Sequence, residues 1–347
     1  MSAVANASAE SRAARVSAAW PSVWLATVMA IAWCAAALMP LGASVLAVFL
    51  FAAPHNWMEA RYLLQRMPAK WGPLRRYYLT GIGGAVALAL ASLALPSVAR
   101  GWRLTHDHML TALAIWNSAL VAWIVALADL RRREKLRRSD SNSSPLPQWP
   151  WLYAAGWLLL ALAWWAPVGW SLALVYLHPL IALWFLDREL KRRNVAWLPA
   201  YRRALTALPC LLVGLWALLW NAPDLPGDDL LSLQITRHAG RGVVPLVSTQ
   251  LLVATHVFLE MLHYAVWLLA IPSVGVKGAW WSVGRIPLAR KSSPWRVAVS
   301  LVLGGGLLAV ALFWAGFLIN YPLTRDVYFS VAILHVLAEA PFLLRLL

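Results

Sequence analysis

Three pairs of ligand-type side chains recur in the apolar parts of the chain, and in each pair a His is followed four residues later by a Glu. With eight His and six Glu in 347 residues, chance placement would give roughly 0.14 such pairs. Residues four apart lie on one face of a helix, so each segment presents an imidazole and a carboxylate in the same direction. The pairs are His55 with Glu59, His256 with Glu260, and His335 with Glu339.

Two further histidines lie in apolar segments. His263 follows Glu260 by three residues and therefore extends the same helix face. His178 stands directly before Pro179 and has no acidic residue four positions away, which makes it the weakest member of the set. The candidate ligands are thus five imidazoles and three carboxylates.

This donor set predicts a metal site inside the membrane. An ionised Glu at membrane depth costs at least ~2.5–3.5 kcal/mol, so each must be paired or bound to a positive group. Mixed nitrogen and oxygen donors suit iron, manganese or zinc better than copper(I), which prefers sulfur. We therefore expect one or two non-haem iron ions, with manganese or zinc as alternatives. The carboxylates would be ligands, would orient the imidazoles, or would bridge two metals as in di-iron helical bundles.

Other functions fit the same residues. The His–Glu pairs could be buried hydrogen bonds without a metal, and His55 could cap backbone carbonyls freed at Pro54. Two facing His could hold a b-type haem in an electron-transfer protein. His–Glu pairs could also serve as proton relays in a proton-coupled transporter, and the chain could be a structural or pigment-binding subunit of a membrane complex.

The segments that must position these residues are membrane helices. The sequence is 61% hydrophobic and 13% charged, with a mean hydropathy of +0.65, whereas soluble domains are about 25% charged. Apolar runs of 18 or more residues recur along its length and are continuous rather than alternating, which excludes a β-barrel. The sequence predicts an all-α, polytopic integral membrane bundle of about ten transmembrane helices.

Polar breaks divide the chain. Residues 1–19 are predicted to form a flexible cytoplasmic tail, and residues 20–130 a first membrane segment of four helices ending near Leu130. Residues 131–148 read RRREKLRRSDSNSSPLPQ, which is typical of a basic and then Ser/Pro-rich cytoplasmic loop. Residues 149–347 contain six more helices, with a loop at 221–243, and the whole forms one membrane domain.

The net charge of +16 reflects membrane topology rather than nucleic-acid binding. The basic residues lie in short runs between apolar segments, where the positive-inside rule places them. Four basic segments fall on one side if both termini are cytoplasmic, and the acidic loop 221–229 then lies outside: 60–76, 131–140, 187–203 and 277–296. We expect a protein of the plasma or inner membrane that contacts lipid and does not bind nucleic acid.

Intramembrane histidines in separate helices, without the His-x-x-His-His boxes of desaturases, resemble one known family. His55, His178, His256 and His335 are placed in a way that is similar to the Brp/Blh-like membrane carotenoid dioxygenases, which cleave β-carotene to retinal with a His-ligated non-haem iron. The resemblance is architectural and covers no continuous motif. It implies an iron oxygenase or oxidoreductase whose lipophilic substrate enters from the bilayer.

Overall fold

The computed structural model describes residues 22–138, 151–275 and 282–346. Within these ranges there is no β-strand, and eleven helices account for most of the chain. They are α1 (Ser22–Leu38), α2 (Pro40–Arg66), α3 (Gly72–Gly101), α4 (His106–Arg137), α5 (Trp151–Trp165), α6 (Pro167–Arg193), α7 (Val195–Leu219), α8 (Leu230–His238), α9 (Thr249–Val274), α10 (Ser293–Ile319) and α11 (Tyr321–Leu346).

Ten of these helices match the ten predicted apolar segments. Eight are long and apolar enough to cross a membrane, judged by length and composition, and α1 and α5 are shorter apolar helices. Large apolar side chains remain exposed along the long helices; on α10, for example, Leu301 and Leu312 are exposed. The protein is therefore an all-α polytopic membrane protein whose helices contact lipid, as predicted.

Two segments differ from the sequence-based boundaries. Helix α4 continues past Leu130 to Arg137, because ion pairs between residues three and four apart stabilise its last turns; Asp129 pairs with Arg132 at 2.8 Å and Arg133 at 2.5 Å. The predicted loop at 221–243 contains the short helix α8, which begins where Asp229 accepts a hydrogen bond from the Ser232 amide. The predicted tail at 1–19 and residues 139–148 of the predicted loop lie outside the described residues.

The described residues form two compact units, and α2 begins in the first and ends in the second. The first unit takes its residues from Met1–His55 and Tyr176–Trp280. Its central helix is α9, which packs against the first half of α2 and against α7 and α8. The Trp216 indole of α7 donates to the Thr255 hydroxyl of α9 at 3.0 Å, so a polar contact inside the unit is satisfied by a neighbouring helix.

The second unit takes its residues from Asn56–Val175 and Trp281–Leu347. Here small residues allow close helix packing: a side chain at Gly81 of α3 would meet Pro341 of α11, and one at Gly84 would meet Trp123 of α4. The Trp123 indole donates to the Thr80 carbonyl at 2.9 Å. These contacts hold α3, α4 and α11 together.

Candidate metal centre

Helix α2 is distorted just before its His–Glu pair. A π-helical turn spans Val48–Ala52 and ends two residues before Pro54, which has no amide hydrogen and crowds the preceding turn. The Nδ1 atom of His55 lies 3.1 Å from the Phe51 carbonyl oxygen. Because a carbonyl only accepts hydrogen bonds, Nδ1 carries the hydrogen and Nε2 the lone pair, the arrangement found in metal-ligating imidazoles.

Three of the predicted imidazoles come together in the first unit. The ring centroids of His55 on α2 and His263 on α9 are 5.0 Å apart at an interplanar angle of 82°. The ring of His178 on α6 lies 4.6 Å from that of His263. Two imidazoles on one ion have centroids roughly 4.5–5.5 Å apart, because each nitrogen lies about 2.1 Å from the metal. His178, the weakest candidate by sequence, therefore joins the other two.

Two of the predicted carboxylates, Glu59 and Glu339, are buried in the second unit. Glu59 of α2 is 0% exposed, and neither of its oxygens accepts a hydrogen bond from any described residue. The imidazole of His335 on α11 offers a ligand atom within 4.8 Å of one from Glu59. Glu339, one turn further along α11 and 1% exposed, acts electrostatically on Glu59. A buried carboxylate such as Glu59, without a compensating donor among the described residues, favours a bound cation.

Helix α2 carries one residue of each kind. His55 and Glu59 lie one turn apart on it, so a nitrogen and an oxygen donor lie on the same face of this helix. Both side chains are buried. Cys34 and Cys210 are exposed and contribute no sulfur. A buried His/Glu group of this composition could bind a metal ion, and its donors fit iron, manganese or zinc.

The remaining His–Glu pair, His256 and Glu260 on α9, has different neighbours from His263 on the same helix. The Nδ1 atom of His256 is 3.7 Å from Glu260 Oε2, and the ring of His256 lies beside His238 and Tyr176. Although His256 and His263 share a helix face, seven residues separate them by about 10 Å along the axis. That distance explains why His263 lies beside His55 whereas His256 has other neighbours.

Two residues near these sites were not predicted. Tyr264 donates its hydroxyl to Glu260 Oε1 at 2.5 Å, and its ring centroid lies 4.4 Å from that of His55. Tyr264 follows Glu260 by four residues, so the spacing that revealed the His–Glu pairs also contains this contact. His238 ends α8 in a predicted loop, and no local pattern places it beside α9.

No protein-family model, curated protein or solved structure matches this chain. Its function is therefore inferred from its own residues. Three features support this inference: the apolar helices, the three imidazoles of the first unit, and the buried carboxylates of the second.

Proposed function

We propose that the chain is an integral membrane metalloprotein that binds non-haem iron through His55 and Glu59 of α2, with His263, which lies beside His55, as a further ligand. The observation that carries this proposal is the buried pair on α2, whose histidine Nε2 is set up as a lone-pair donor and whose carboxylate lacks any hydrogen-bond donor among the described residues. His178, whose ring lies beside that of His263, would then complete or orient the ligand set.

The reaction we propose is oxidation of a lipophilic substrate with O₂. Iron bound by nitrogen and oxygen donors with open positions supplies O₂ chemistry. The chain supplies the surroundings: the metal ligands are mostly buried, which keeps bulk water away, and the apolar helices allow a substrate to approach from the bilayer. The architectural resemblance to carotenoid dioxygenases supports this substrate class by analogy.

Metal analysis tests the binding proposal. The full-length protein, purified in detergent without chelators, should contain stoichiometric iron, and Glu59→Gln should lose most of it. His106→Gln is the matched control, because His106 is exposed at the start of α4. A folded protein that contains no iron and takes up none from ferrous salt would overturn the proposal.

Oxygen uptake tests the proposed reaction separately. With β-carotene in mixed micelles as the probe, we expect O₂ consumption that requires iron and is lost in Glu59→Gln. Iron binding without any oxygen uptake on this probe or on other polyenes would reject the oxygenase step and leave the metal site intact.

We also propose that both termini are cytoplasmic in a plasma or inner membrane. The distribution of basic segments supports this orientation. Reporter fusions after residues 75 and 195 should report the cytoplasm, and fusions after residues 104 and 226 should report the opposite side. The reverse pattern would contradict the proposed topology.

A further inference from the structure

We propose that an anionic phospholipid binds where α2, α4 and α11 end and α3 begins, and that the guanidinium group of Arg345 holds its phosphodiester. These four helix ends lie in the second unit. The site uses none of the proposed iron ligands, so the proposal does not depend on the metal centre. The ligand would be a lipid such as phosphatidylglycerol, whose headgroup carries one negative charge.

The guanidinium group of Arg345, near the end of α11, is fixed by two neutral acceptors. Its Nη1 atom donates to the Arg66 carbonyl at 3.1 Å and to the Tyr78 hydroxyl at 2.5 Å. Arg66 is the last residue of α2, and Tyr78 lies in the first turns of α3. Because Tyr78 is fully buried, the position of the guanidinium group is set from inside the protein and not by solvent.

The same guanidinium group has no acidic partner among the described residues. Arg345 forms no ion pair with any of them, and its Nε and Nη2 atoms donate to none. Its side chain is partly exposed, so a ligand can reach it. The planar edge of a guanidinium group presents two N–H donors at the spacing of two phosphate oxygens. The unused edge of Arg345 therefore fits a phosphodiester.

A second guanidinium group, that of Arg131 on α4, adds positive charge here. Its Nη2 atom lies 3.4 Å from the Arg345 carbonyl, and its Nη1 atom pairs with Glu134 Oε2 at 2.6 Å. The charges of Arg131 and Arg345 both act on the Tyr78 hydroxyl. Glu134 offsets one of these two positive charges, and an anion at Arg345 would offset the other.

The surrounding segments strengthen the attraction for an anionic lipid. Residues 61–76 and 129–137 contain ten Lys or Arg residues but only two acidic residues, Asp129 and Glu134. Asp129 already pairs with two neighbouring arginines. An excess of basic residues at a membrane surface attracts anionic lipids in general. Arg345 differs from the other basic residues because its guanidinium group is held in place with one edge available.

Helix α3 offers an apolar surface for the acyl chains. Leu79, Ile82 and Val86 are exposed, and their spacing of three and four residues places them on one face of the helix. This face begins directly after Tyr78. Tyrosine and arginine are typical of the membrane–water boundary, so a headgroup at Arg345 would leave its acyl chains at the depth of the apolar face.

Native mass spectrometry of the delipidated full-length protein in detergent tests this site. We expect one phosphatidylglycerol per chain, bound at least about tenfold more tightly than phosphatidylcholine, whose choline group cancels the phosphate charge. Arg345→Gln should remove this preference. Arg75→Gln is the matched control, because Arg75 is exposed at the start of α3 and its replacement removes the same charge.

Tyr78→Phe separates a defined site from general attraction, because it changes no charge. Loss of the hydroxyl removes one of the two acceptors that fix Arg345, so we expect roughly a two- to tenfold decrease in phosphatidylglycerol affinity. General attraction to a basic surface would leave the affinity unchanged. A circular dichroism spectrum checks the fold of each variant, and Tyr78→Phe decides the question if Arg345→Gln does not fold.

Three results would overturn the proposal. The first is equal affinity of the wild type for both lipids. The second is an equal decrease in Arg345→Gln and Arg75→Gln, of roughly fivefold each, with Tyr78→Phe unchanged, which would show general surface attraction. The third is displacement of phosphatidylglycerol by an equal concentration of inorganic phosphate, which would show a site for free phosphate instead of lipid.

Discussion

Helices α9 and α10 are both long enough to cross a membrane, yet their surroundings are opposite. The most apolar window of α9 has a mean hydropathy of 1.6 and is 67% buried within the protein, whereas that of α10 has a mean hydropathy of 2.3 and is 17% buried. Helix α9 carries His256, Glu260 and His263, and α10 carries no His, Asp or Glu. The less apolar helix is the more buried one.

This difference follows from lipid as a solvent. An apolar side chain gains little by leaving lipid for the protein interior, because lipid tails are equally apolar. An imidazole or carboxylate, by contrast, is costly in lipid and must face other protein groups. Helix α9, which contains the His and Glu residues, therefore lies inside its unit, and the most apolar helix, α10, faces the bilayer.

Removal of a ligand on α9 should have the largest effect. His263→Ala deletes an imidazole that lies beside both His55 and His178, so we expect loss of most bound iron and more than a roughly 100-fold decrease in iron affinity. Iron content per chain measures this directly. His106→Ala should keep its iron; equal losses in both variants would show a general folding defect instead.

A matched pair of leucines tests burial on the two helices. Leu251 of α9 is 0% exposed and Leu312 of α10 is 63% exposed. We expect Leu251→Ala to lower the free energy of unfolding by about 2–5 kcal/mol, because it leaves a cavity. Leu312→Ala should change it by less than about 0.5 kcal/mol. Denaturant unfolding in detergent measures both, and equal values would contradict the assignment of α9 as the inner helix.

The glycine run on α10 shows where that helix does touch protein. A side chain at Gly306 would lie 2.9 Å from Trp57 Cδ1, whereas one at Gly304 meets nothing within 4 Å. Trp57 donates its indole hydrogen to the Leu303 carbonyl at 2.8 Å, which fixes its position. We expect Gly306→Ala to destabilise by about 1–3 kcal/mol. Gly304→Ala should be neutral or stabilising by up to about 1 kcal/mol, and the reverse order of melting temperatures would contradict this packing.

The smallest effect concerns the start of α9. Asp224 Oδ1 accepts hydrogen bonds from the Thr249 amide at 2.7 Å and the Thr249 hydroxyl at 3.0 Å, and these bonds lower the pKa of the Asp224 carboxyl. A carboxyl with a lowered folded-state pKa contributes stability above its unfolded value and loses it as the pH falls through the folded value. Asp224→Asn should therefore cost less than about 1 kcal/mol at neutral pH.

The pH dependence separates this effect from a general loss of charge. The difference between wild type and Asp224→Asn should shrink as the pH falls below about 4, the ordinary pKa of an unfolded Asp carboxyl, and should disappear once the folded carboxyl, with its lowered pKa, is protonated as well. Melting curves at several pH values measure it. Asp228→Asn, at an exposed position in the same segment, is the control, and a difference that grows on acidification would contradict the assignment.

Residue spacing along the sequence was enough to predict the helices and the helix faces on which the candidate ligands lie. The ten apolar segments and the one-sided His–Glu pairs follow from hydropathy and helical periodicity, and the structure has helices at all ten segments. A π-helical turn at Val48–Ala52 lies just before Pro54, and the His55 imidazole contacts the Phe51 carbonyl within that turn.

Contacts between distant segments could not be predicted in this way. His178 lacked a local acidic partner, yet it lies beside His263, and His238 ends a helix that the sequence suggested was a loop. Periodicity gives the face of a residue but not its neighbour across the helix interface. It also treats His256 and His263 as equivalent, although the rise of the helix separates them by about 10 Å.

The most direct test is the iron K-edge absorption spectrum of the full-length protein, recorded with His263→Ala for comparison. We predict nitrogen and oxygen neighbours at roughly 2.0–2.2 Å, outer-shell scattering from imidazoles, and a weaker imidazole signal in the variant. An iron centre with sulfur ligands, or a spectrum that His263→Ala leaves unchanged, would contradict the proposed ligand set.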